Sequence, residues 1–200
     1  MGLRTLNVRP LNFYMSKDNI GNFFDPEDFE KGYDDENGEA WKPENVYGKE
    51  LFRKSIEILN LTDTICAMLP EEDEQTEFTQ RLMKENAMLV PVKIKGALGI
   101  DIYSLKMENA VIIKVNICQL KDQLWACEAI HEMEAKYLDV LRNEIDAFRE
   151  IFVKWVTSFD KNNDLPDEWH LFNDPSSFPE DDEPFDAKSF FEDSDPDDEK

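Results

Sequence analysis

The sequence predicts an all-α fold, an up-down antiparallel four-helix bundle with irregular acidic extensions at both ends. Three observations lead there. Between positions 49 and 159 apolar residues recur at spacings of three and four, which marks one face of a helix. No period-2 run of β-branched residues competes with them. Breaks fall at Pro70, at Gly96 and Gly99, and near 127–133, dividing the run into four segments joined by short connections.

The first helix is expected over 49–69, with Phe52, Ile56, Leu59, Cys66 and Leu69 on one stripe and Leu51, Ile58, Ile65 and Met68 widening it. Pro70 stops it, because proline cannot continue a helix. Glu71, Glu72, Asp73 and Glu74 then place acid where the positive end of a helix dipole favours it. The second helix runs through Phe78, Leu82 and Met83 to Met88 and Leu89, and Pro91 should kink or interrupt it.

A third helix follows Gly99. Tyr103, Met107, Ala110, Ile113, Ile117, Leu120, Leu124 and Cys127 form its main stripe. A second row, Val111, Val115, Cys118 and Trp125, makes it apolar on two sides, so it should lie centrally or face two partners. The fourth helix carries Leu138, Leu141, Ile145, Phe148, Phe152, Trp155, Val156 and Phe159. A tight turn near Cys127 to Met133 separates helices three and four, one unbroken helix being the alternative.

Charge divides the 200 residues further. The net charge of −23 splits into −5 over residues 1–46, −6 over 47–160 and −12 over 161–200. The chain therefore reads as an irregular acidic head, a bundle at 47–160 and an acidic aromatic tail holding five of the ten prolines. The tail interleaves acid with Trp169, Phe172, Phe185, Phe190 and Phe191. Such a mixture is solvated and disordered, docked on its own bundle or on a neighbouring subunit, or a capture segment for a basic partner. No uncharged apolar run reaches the ~18 residues that a membrane span requires. No apolar leader follows Met1, and the three cysteines lack metal-ligand spacing. A cytoplasmic protein with reduced, buried thiols is expected.

Catalytic and metal patterns are incomplete. Glu128-Ala-Ile-His131 matches one Glu-x-x-His unit of a di-iron bundle, which needs two. The chain's second histidine, His170, lies in the tail. Asp160-Lys-Asn162-Asn-Asp164 resembles the opening of a calcium loop, but Leu165 and Leu171 stand where the glycine and the bidentate glutamate belong. His131 follows Cys127 by four residues, a weak basis for a Cys–His pair within a helix and turn, and no glycine-rich phosphate loop is present. The expectation is a non-enzyme with no cofactor, no metal and no small-molecule substrate. Its partner would be a second copy of itself, another protein or RNA. Lys93, Lys95, Lys106, Lys114 and Lys121 are the candidate nucleic-acid contacts. Val111, Val115, Trp125 and Trp155 are the candidate oligomer interface.

Several short runs resemble those of the bacterial four-helix-bundle proteins encoded in rRNA intervening sequences, a family that includes the accessory protein of diversity-generating retroelements. They are Leu51-Phe52-Arg53-Lys54-Ser55-Ile56-Glu57-Ile58, Leu69-Pro70-Glu71-Glu72, Leu82, and Gln123-Leu124. Val90-Pro91-Val92-Lys93-Ile94-Lys95-Gly96 is similar to the family's Ile-Pro-x-Asn-Ile-Ala-Glu-Gly, with Lys93 at the Asn position. The resemblance spans about residues 47–160. It implies the bundle fold and homo-oligomers, often pentameric rings. From the retroelement member it implies binding to nucleic acid and reverse transcriptase through a basic surface.

Overall fold

A computed structural model describes residues 41–70, 74–165, 169 and 171–172. Four helices account for most of them: α1 (Pro43–Met68), α2 (Glu74–Leu98), α3 (Tyr103–Ala129) and α4 (Ala135–Thr157), with no strand among the described residues. Short connections fold successive helices back on one another. α1 packs on α2 and α4, and α2 packs on α1 and α3. α3 and α4 are consecutive yet share the thinnest interface, which Lys121–Asp146 (3.3 Å) and Arg142–Glu128 (2.5 Å) bridge.

Local chemistry sets the helix ends. Pro43 opens α1, where its fixed φ fits and its missing N–H costs nothing. Leu69 is extended at ψ 144° because it precedes Pro70, and α1 ends at Met68. Glu74 and Glu77 sit in the first turn of α2; Glu71, Glu72 and Asp73 lie outside the described residues. Of the kink or interruption expected at Pro91, the interruption does not occur: α2 runs on through Pro91 to Leu98. Pro91 is buried on the same face as Ala87, Val90 and Ile94, so packing holds a residue whose intrinsic helix cost is ~3 kcal/mol. The α3–α4 turn spans Ile130 to Glu134, with Glu132 left-handed at φ 53°. That is the turn the sequence placed near 127–133.

The core is a file of aliphatic side chains closed by aromatics. In α1 the inward row is Leu51, Ile58 and Ile65 with Phe52 and Cys66, while Ile56 and Leu59 are half-buried and Met68 is exposed. Ser55 and Thr62 share that row, donating their hydroxyls to Phe52 O and Ile58 O. In α2 the buried face is Met83, Ala87, Val90 and Ile94; Phe78 and Leu89 point outward. Gly48 lets the end of Leu98 pack directly against the α1 backbone. From α4 come Leu138, Leu141, Ile145, Phe148 and Trp155. Trp155 meets Phe159 edge-on, their centroids 4.8 Å apart.

Candidate interaction surface

α3 is apolar on two faces, and the bundle uses one. Ala110, Ile113, Ile117, Leu120, Leu124 and Cys127 are buried, as their spacing predicted. The second row is not: Val111 is 44% exposed, Val115 46% and Trp125 67%, and Cys118 is exposed between them. α3 is therefore not central; its outer row faces solvent. That row includes Asp122, giving successive steps of four, three, four and three from Val111 to Trp125. These are the a/d steps of a heptad seam. Trp155, expected at an interface, is instead 0% exposed beneath Phe159 and lies in the core. Leu141, Ile145, Phe148 and Ile151, which precede it at steps of three and four, are all buried on the same face.

One of the five lysines expected in a nucleic-acid patch is withdrawn from the surface. Lys106 is buried. Its Nζ lies 2.5 Å from Glu44 Oε1 and 3.8 Å from Asp101, and sits over the Phe159 ring at 5.8 Å. It thereby ties α1, the α2–α3 loop and the end of α4, and cannot touch a nucleic acid. Lys93 and Lys95 are half-buried near the end of α2. Lys114 and Lys121 are exposed on α3, and Lys121 reaches Asp146 on α4. With Lys106 withdrawn, the remaining four are divided between the end of α2 and the exposed side of α3.

The motifs that looked catalytic close the fold. After α4, Asp164 Oδ1 accepts the Ser104 N–H at 3.0 Å and the Asn163 carbonyl accepts the Tyr103 N–H at 2.8 Å. Two otherwise orphaned donors at the start of α3 are thus satisfied from 60 residues away. Asp160 accepts from the Asn162 N–H at 2.9 Å, an Asx turn. The calcium-like spelling is a cap. Glu128 holds Arg142, while the His131 ring lies between Thr76 Oγ1 (3.4 Å) and Thr79 Oγ1 (3.3 Å). His131 is half-buried there, clasping the α3–α4 turn to the start of α2. No sequence pattern announced this clasp, since the two threonines read as ordinary helix polar residues.

Two cysteines are buried as expected and one is not. Cys66 donates toward the Gln80 carbonyl at 3.8 Å and Cys127 lies 3.5 Å from Met83 Sδ. Burial pushes both thiols up to about 11. Cys118 is exposed on the outer row of α3 because it falls at an a/d step of the seam rather than on the core stripe. Trp169 is exposed and Phe172 half-buried; Phe185, Phe190, Phe191 and His170 lie outside the described residues. Among the described residues no cluster of three or more His, Cys, Asp or Glu is placed to hold a metal ion. None of the described helices is long and apolar enough to cross a membrane.

No protein-family model, curated protein or solved structure matches the chain.

Proposed function

We propose that the protein is a non-catalytic binding and scaffold module that assembles with itself through the outer face of α3. One observation carries this reading: a helix whose inward stripe already fills the core presents a second apolar row, with Trp125 two-thirds exposed. Contiguous exposed apolar surface is costly in water and is characteristically covered by a partner. Aromatic side chains supply much of the energy where it is.

The resemblance to the rRNA intervening-sequence bundles gains support from four helices of the expected order, with Pro91 inside the second. RNA association is less well supported, since Lys106 is committed to Glu44, Lys121 pairs with Asp146, and Lys93 and Lys95 are half-buried. Light scattering at micromolar concentration tests the main reading. Assembly gives a multiple of 23.4 kDa, and Trp125→Ser moves the mass toward the monomer. A 23.4 kDa particle for the unaltered chain sinks the proposal.

A further inference from the structure

The charges on α3 are unevenly settled. Lys106 pairs with Glu44, Lys121 with Asp146, and Glu128 with Arg142. Lys114 and Asp122 are both exposed, and neither has an ion-pair partner among the described residues. They stand eight residues apart, ~12 Å along the axis, too far to pair with each other on one helix.

Their positions are symmetric about Cys118. Lys114 precedes it by four residues and Asp122 follows by four; Val111 precedes it by seven and Trp125 follows by seven. A self-complementary two-fold interface needs this kind of arrangement, because each contact must be made twice with the roles exchanged.

We propose that two copies of the chain pair through α3 in an antiparallel, two-fold dimer centred on Cys118, with Lys114 level with the partner subunit's Asp122. This rests on the self-association proposed above and specifies a two-fold geometry in place of the pentameric ring that the family resemblance implies. Antiparallel pairing sets Val111 level with the partner subunit's Trp125, so the exposed ring of α3 covers a small β-branched residue. It also gives Asp122, the one charge within the apolar row, an opposite charge within a turn on either side of the dimer. A parallel two-fold pairing would set Asp122 level with the partner's Asp122, leaving two like charges in a desolvating seam. The antiparallel arrangement is the one the charges favour. Cys118 lies at the two-fold axis, so the two thiols come close across the interface.

A charge swap in the full-length chain tests this by sedimentation equilibrium. K114E and D122K should each weaken the homodimer at least tenfold, because each sets like charges level with one another twice. An equimolar mixture should regain the wild-type dissociation constant, since in the mixed dimer both pairs are again opposite in sign. Both positions are exposed, and circular dichroism checks that each variant keeps its helices. In a second arm, diamide takes two electrons and two protons from two Cys118 thiols, forming one S–S bond while its N=N bond becomes a hydrazine. The covalent dimer should form in wild type and not in C118S.

A monomeric wild type would overturn both this geometry and the self-association reading. Four results would overturn the antiparallel pairing while leaving self-association standing. They are an odd number of subunits, variants that assemble like wild type, a mixture that fails to recover, or an assembled chain that forms no Cys118 disulfide.

Discussion

Asp164, beyond the end of α4, accepts the backbone N–H of Ser104 in the first turn of α3, at 3.0 Å. Ile102, the residue at the N-cap, has no side chain able to do so, and the cap arrives from another part of the chain. Asp164→Ala should therefore lower stability by about 1 kcal/mol, with Asp164→Asn costing less because the amide oxygen still accepts. Urea unfolding measures both. Added calcium should leave the midpoint unchanged; a calcium-dependent rise would return this segment to the metal-binding class.

The Lys106–Glu44 pair should respond unequally to loss of either partner. Lys106 is the deeper, 5% exposed at the side chain against 16% for Glu44. Glu44→Gln strands a buried ammonium whose remaining acid, Asp101, is 3.8 Å away and largely in water. A cost of about 3 kcal/mol is expected. Lys106→Met leaves a carboxylate nearer the surface that can rehydrate, and its methylenes keep packing against Phe159, so the loss should be smaller. Equal losses in denaturation midpoint would argue against this account.

Much of the bundle was legible because core positions obey a period that hydropathy displays directly. Every member of the α3 main stripe from Ala110 to Cys127 is buried. Periodicity cannot assign partners, however. It showed two apolar rows on α3 without saying that the bundle would bury one and leave Val111, Val115 and Trp125 outside. Lys106 stood with Lys114 and Lys121 as a candidate surface contact, yet it turns inward because Glu44 waits there on another helix. Trp155 lay on a clear inward stripe, and assigning it to an interface set residue type above position. His131 between Thr76 and Thr79 joins segments more than 50 residues apart, and nothing local encodes that contact.

Trp155 offers a test of how its core end is packed. The indole Nε1 is buried and has no hydrogen-bond partner among the described residues. An unpaired buried donor costs roughly 1–3 kcal/mol, so the ring's packing is partly offset by its own N–H. Trp155→Phe removes the orphan donor while keeping an aromatic against Phe159, and stability should stay within about 1 kcal/mol of wild type. Trp155→Ala opens a cavity and should cost about 3–5 kcal/mol. Thermal unfolding of the two variants decides it: if the phenylalanine variant loses nearly as much as the alanine one, the indole nitrogen has a partner after all.

Burial of Cys66 and Cys127 predicts a loss of stability in alkali. Both thiols ionise at about 11 in the fold against 9.0 ordinarily, because the low-dielectric core disfavours the thiolate. Below pH 9 both states keep their thiol protons, and the contribution is complete and constant. Between pH 9 and 11 the unfolded chain releases protons that the folded chain still holds, so unfolding is favoured progressively as pH rises. Each thiol contributes on the order of 2 kcal/mol by the top of that window. Lysines and tyrosines titrate there too, so the comparison that isolates the thiols is wild type against the double variant Cys66→Ala, Cys127→Ala. The variant should begin less stable at pH 8, from lost packing, and then fall less steeply through pH 10.5. Parallel profiles would mean that the two sulfurs reach water in the folded protein, which the packing of Cys127 against Met83 does not allow.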